Sequence, residues 1–95
     1  MNFKKYLKVY RTDEYPMNRI YDIVEETIEE LKFGKKYTLR QIVCKNNPEM
    51  WEKLSKYQAK SIGYTFAIYM TKFGMDGLEM YDNEPTNKKY IRTEL

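Results

Sequence analysis

Between Met17 and Phe33 apolar side chains recur every three or four positions, at Met17, Ile20, Val24, Thr27/Ile28 and Leu31, so one face of a helix carries them all. The opposite face is acidic. Pro16 suits the first turn, where its missing N–H would have no partner anyway, and Gly34 suits the left-handed residue just past the end. A short strand is expected at Tyr37 to Leu39. Thr38-Leu39-Arg40-Gln41 has the spacing of a capping box, in which the Thr hydroxyl and the Gln side chain each satisfy the other's free backbone N–H. A second helix therefore begins at Leu39, and Asn46-Asn47-Pro48 breaks it; Pro48 can open a further turn carrying Met50, Trp51 and Leu54. Ser55-Lys56-Tyr57-Gln58 repeats the box and starts the longest periodic run. Its expected buried stripe is Ala59, Ile62/Gly63, Phe66, Tyr69/Met70 and Phe73, with Gly74 as terminator.

The period then changes from helical to alternating. Leu78-Glu79-Met80-Tyr81 and Lys88-Lys89-Tyr90-Ile91-Arg92 read as two strands of a hairpin, joined by a six-residue loop from Asp82 to Asn87. Helix, short strand, short helix, long helix, strand, loop, strand is the element order of a winged helix-turn-helix. The expected class is α+β, with three main helices and a C-terminal β-hairpin wing. With 95 residues the chain fits one domain, with residues 16–92 as the winged core. Residues 1–15 form an N-terminal arm or a short extra element.

Composition excludes several classes. The chain is 42% hydrophobic and 33% charged with four Gly and three Pro, which does not suit a disordered or collagen-like polymer. Cys44 is the single cysteine, so neither an intrachain disulfide nor a Cys/His zinc cluster can form, and a reducing, cytoplasmic setting is expected. There is no His, the side chain most used for general acid–base work and catalytic metals. No apolar run follows the basic N-terminus as a secretory signal requires, and none approaches the roughly 20 residues of a membrane span. A membrane partner is not expected.

The net charge of +3 is the remainder of strongly opposed segments. Residues 1–12 carry +4 from Lys4, Lys5, Lys8 and Arg11, residues 13–30 carry −6, residues 31–72 carry +7, and the remainder carries −2. The acidic pole is the first helix. The basic pole spans the second helix, with Arg40, its turn and the start of the long helix.

A helix entering the major groove reads base edges from its N-terminal end. Off its stripe, the long helix offers Lys56, Tyr57, Gln58, Lys60, Ser61 and Tyr64 there. Lys can meet phosphate or guanine, Gln can pair with adenine, and Tyr can bond phosphate or stack. Lys88 and Lys89 could follow a phosphate backbone from the wing, beside a loop tip of Asn83, Thr86 and Asn87. The bland counterparts are a solvated face and a plain turn. A non-enzymatic DNA-binding module, in regulation or replication control, is the leading functional expectation. The alternative is a protein-interaction module of phage or plasmid type, inhibiting a host nucleic-acid-handling or defence enzyme, or a homodimer. In that case the surface is Asp22, Glu25, Glu26 and Glu29.

Catalytic and cofactor chemistry finds little support. Gly34-Lys35-Lys36-Tyr37-Thr38 lacks the upstream Gly of a phosphate loop and ends a helix instead of opening one. Cys44 lies in an apolar helix end with no His anywhere in the chain and reads as a buried thiol. Asp76, Asp82 and Glu84 are too scattered for a calcium loop. No metal, no cofactor and no enzymatic activity are expected.

Tyr37-Thr38-Leu39-Arg40-Gln41-Ile42, Trp51-Glu52-Lys53-Leu54, Ile62-Gly63-Tyr64-Thr65-Phe66 and Asn87-Lys88-Lys89-Tyr90 together form a recognisable pattern over residues 35–92. It resembles the small bacterial and mobile-element proteins grouped as domain of unknown function fourteen-thirteen. Ala59 stands where that pattern more often carries a basic residue. The resemblance implies a winged-helix-like fold and carries over no catalytic residue.

Overall fold

The computed structural model describes residues 12–82 and 88–94. The basic residues Lys4, Lys5, Lys8 and Arg11 of the expected arm, and the loop tip 83–87, lie outside the described residues. Helix α1 covers Glu14–Thr27 and runs into a 3₁₀ turn, Ile28–Glu30. Strand β1 is Lys36–Tyr37, followed by α2 (Leu39–Asn46), α3 (Pro48–Glu52) and α4 (Lys56–Lys72). Strands β2 (Leu78–Asp82) and β3 (Lys89–Arg92) complete an antiparallel sheet of order β1-β3-β2. The last strand of the chain is thus the central one, as in a winged helix. Tyr37 pairs with Tyr90 and Met80 pairs with Tyr90 from the other side, and the register breaks between Met80 and Asp82.

The local signals explain most element boundaries. Both capping boxes form: the Thr38 hydroxyl accepts from Gln41 N–H at 3.1 Å while Gln41 Oε1 accepts from Thr38 N–H at 2.9 Å, and Ser55 and Gln58 repeat both distances. Gly74, with φ of 68°, follows the C-cap of α4 as expected, whereas Gly34, expected as the terminator of the first helix, uses its φ of 74° in the separate Lys32–Lys35 turn that leads into β1. The first helix stops earlier than Phe33. The Thr27 hydroxyl donates back to the Ile23 carbonyl at 2.6 Å, and beyond it the chain tightens into the 3₁₀ turn that ends with Leu31 N–H on the Ile28 carbonyl.

One core joins the layers. Met17, Ile20 and Val24 of α1, Ile42 and Val43 of α2, Ile62 and Phe66 of α4, and Tyr90 of β3 are all buried. Phe66 meets the Tyr90 ring edge-on at 5.2 Å. The apolar stripe of α1 is as expected, but that of α4 is rotated and shortened. Ser61 and Thr65 are buried: the Thr12 hydroxyl donates to the Ser61 carbonyl at 3.1 Å and lies 2.6 Å from the Thr65 hydroxyl, while the Ser61 hydroxyl donates to the Gln58 carbonyl at 3.1 Å. With its one proton used on Ser61, Thr12 must accept from Thr65. Phe73, at the C-cap of α4, is 64% exposed, and Ala59 and Gly63 are only half-buried.

Arg92 is the one buried charged side chain among the described residues, at 5% exposure. From the end of β3 it donates through Nη1 to the carbonyls of Ile28 and Leu31, while its guanidinium lies 4.5 Å from the centre of the Phe33 ring. A cation there gives the Ile28 carbonyl a second donor beside the Leu31 N–H, reaches the Leu31 carbonyl as well, and faces the negative end of α1.

Candidate nucleic-acid interface

The N-terminal half of α4 borders a groove of about 420 Å³ whose other walls come from α2, α3 and the base of the wing. Arg40 enters from the first turn of α2, which the Thr38–Gln41 box aims at this point; Trp51 comes from α3, Lys60 and Tyr64 from α4, and Lys88 from the residue before β3. Lys88 Nζ lies 4.5 Å and Lys60 Nζ 5.9 Å from the centre of the Tyr64 ring, both within cation–π range. Thr38, Leu39, Ala59, Gly63 and Tyr90 complete the groove, so apart from Thr38 its remaining lining is apolar or aromatic and its charged groups are all cations. Four residues singled out by charge and helical position, Arg40, Lys60, Tyr64 and Lys88, are brought together from three separate elements.

The other expected contacts are placed differently. Lys56 is exposed at the first position of α4 but does not line the groove, and Lys89 is half-buried in the ladder opposite Asp82. Tyr57 is 58% exposed and forms, with Lys60, Ser61 and Tyr64, a smaller hollow that shares Lys60 and Tyr64 with the groove. Gln58 is committed locally. Its amide oxygen caps Ser55, and its amide nitrogen donates to Asp13 Oδ2 at 3.0 Å, tying the start of α4 to the start of α1. Ser61, expected on the outer face, is only 5% exposed and donates to the Gln58 carbonyl. Neither side chain is presented for base reading as the helical spacing alone suggests. Trp51, Ala59 and Gly63 were not among the expected site residues. The one signal for them was the pair of small residues four apart on α4, which leaves a notch beside an aromatic turn.

The acidic face has a site of its own. Asp22, Glu25, Glu26 and Glu29 are all exposed. Glu25 and Glu29 also border a cavity of about 330 Å³, shared with Asp76 and the aromatic rings of Tyr21, Tyr69 and Phe73 at the C-terminal end of α4. Tyr21 and Tyr69 meet edge-on at 5.3 Å with their hydroxyls 3.5 Å apart. Burial foremost, then the Tyr69 hydroxyl and the Glu25 carboxylate, push the Tyr21 hydroxyl well above the ordinary tyrosine range. Burial does the same to Tyr90. The carboxylates of Glu25, Glu29 and Asp76 thus gather beside the C-terminal end of α4, whose own last turn carries Lys72, away from the lysines of its N-terminal half.

Among the described residues no group of three or more acidic or Cys side chains could hold a metal ion, and no helix is long and apolar enough to cross a membrane. Cys44 is half-buried on α2. Comparison of the chain with protein-family models, with curated proteins and with solved structures finds no match.

Proposed function

We propose that this chain is a non-enzymatic nucleic-acid-binding module, with DNA as the leading ligand, that works in the cytoplasm. The observation that carries the reading is the convergence of Arg40, Lys60 and Lys88 around the Tyr64 and Trp51 rings, at the N-terminal half of the long helix and the root of the wing. Cations set to meet phosphates, next to aromatic faces, make up the usual chemistry of a nucleic-acid surface. The acidic α1 face carries the opposite charge and would be turned away.

Fluorescence anisotropy with labelled mixed-sequence DNA, single-stranded and duplex, tests this across a salt series. Binding is expected to weaken steeply with salt, and Arg40→Glu with Lys60→Glu is expected to abolish it. Each lost phosphate contact should lower the salt slope by about 1. Salt-insensitive binding, or none, overturns the reading.

A second reading rests on a different observation, the carboxylate and aromatic cavity bordered by Glu25, Glu29 and Asp76. A protein partner presenting Lys or Arg would find both charge and π-faces there. Capture of such a partner should then be lost on Glu25→Lys with Glu29→Lys and survive Arg40→Glu with Lys60→Glu.

A further inference from the structure

The groove is shaped for more than a phosphate backbone. Phosphates need cations and N–H donors, which its rim supplies, but its floor at Ala59 and Gly63 and its Trp51 wall are apolar or aromatic. At about 420 Å³ it lies in the size range of small-molecule sites. Gly63 sharpens the point. It sits mid-helix, where glycine is less favourable than alanine, yet its φ is not left-handed and a Cβ built on it meets nothing within 4 Å. The fold therefore does not require a glycine. What the missing side chain leaves is open space in the groove wall, beside a Tyr64 ring flanked by two lysines.

We propose that the groove accepts an unpaired nucleobase, lying over Ala59 and Gly63 against Trp51 and Tyr64, with its flanking phosphates on Arg40, Lys60 and Lys88. This rests on the nucleic-acid reading above and deepens it: the ligand is a single strand or an unpaired stretch. Bases stacked inside a duplex hide their faces, whereas unpaired bases present them to aromatic side chains.

Trp51 is the single tryptophan in the chain, so its fluorescence reports directly on the groove. The test titrates the full chain with a mixed-sequence single-stranded DNA, the same sequence as RNA, and the blunt DNA duplex, following both anisotropy and Trp51 emission. The expected result is at least tenfold tighter binding of one or both single strands than of duplex, with Trp51 quenched by the single strand and not by duplex. Gly63→Leu should cost the single strand at least tenfold and leave duplex binding within twofold. Gly63→Ala, which adds only one methyl, should show a smaller loss in the same direction. Equal affinity for single strand and duplex, unquenched Trp51, or single-strand binding indifferent to Gly63→Leu overturns the base-accepting groove while leaving a phosphate-binding module standing. Single-strand binding that survives Arg40→Glu with Lys60→Glu overturns the groove as the site. No binding to any of the three overturns both readings.

Discussion

Gly63→Ala separates the demands of the fold from those of the groove. Gly63 is the eighth of the seventeen residues of α4, far from either cap. A mid-helix glycine gives up more backbone freedom on folding than alanine, and the difference is about 0.8–1 kcal/mol. That gain is realised only where the added methyl has room and the backbone conformation is ordinary. Both conditions hold, since beyond its chain neighbours and the helix's own backbone nothing lies within 4 Å of the ideal Cβ, and φ is not positive. Gly63→Ala should therefore stabilise the protein by about 1 kcal/mol, which for a chain of this size raises Tm by about 4–8 °C. Thermal unfolding followed by circular dichroism, with urea titration as a second measure, reads the change. An unchanged or lowered Tm would refute the reasoning, because it would mean that packing at position 63 excludes a methyl. A rise in Tm coupled to weaker single-strand binding would place the glycine at a trade between stability and activity.

Three further outcomes follow from the packing. Arg92→Met keeps an apolar stem but leaves the Ile28 and Leu31 carbonyls without their charged donor, and should cost about 1.5–3 kcal/mol in urea unfolding; a cost under about 0.5 kcal/mol would show those bonds to be worth little. Ser55→Ala should cost about 1 kcal/mol through the lost cap, and Gln58→Ala more, because its amide also holds Asp13; equal losses would show the Asp13 bond to be idle. Tyr21 and Tyr90 have folded-state values raised above the unfolded value near 10. Below pH 10 both states keep the protons and stability is full. Above it the unfolded chain releases protons that the folded chain retains, so stability falls by up to about 1.4 kcal/mol per pH unit for each ring. Urea midpoints at pH 8 and 11 measure the drop, and Tyr21→Phe should flatten it; an unchanged drop would discount that ring.

What could be read from the sequence was local. The boxes Thr38–Gln41 and Ser55–Gln58 start their helices because both partners lie three residues apart and need nothing else. The stripe Met17, Ile20, Val24, Ile28 and Leu31 is buried because a single helix face needs only a core to meet. What failed depended on partners distant in the chain. Thr65 is polar by any hydropathy measure, and Thr12, about fifty residues earlier, gives its buried hydroxyl a partner, whereas the Ser61 hydroxyl turns back to the Gln58 carbonyl and Thr12 covers the Ser61 carbonyl. Phe73 looks like the next apolar position of a stripe, yet it lies at the helix terminus, past the reach of the core. The candidate interface divides in the same way. Arg40, Lys60, Tyr64 and Lys88 were legible as basic or aromatic residues on exposed elements, whereas the notch over Ala59 and Gly63 required the α3 turn to bring Trp51 across from it.

The position of β3 has a consequence for how the molecule is made. Its four residues separate β1 from β2, and its last residue, Arg92, closes the turn after α1 from 61 to 64 positions away. Neither outer strand has its partner until β3 itself has been made. The helices can form early from their own caps and β2 with β3 closes as a local hairpin, but β1 must wait for a loop closure of more than fifty residues between Tyr37 and Tyr90. A nascent chain ending before Lys89 would therefore hold helices around an unfinished core, exposing the face of Phe66 that the Tyr90 ring meets. Such an intermediate is the point at which this small protein is most open to aggregation and proteolysis.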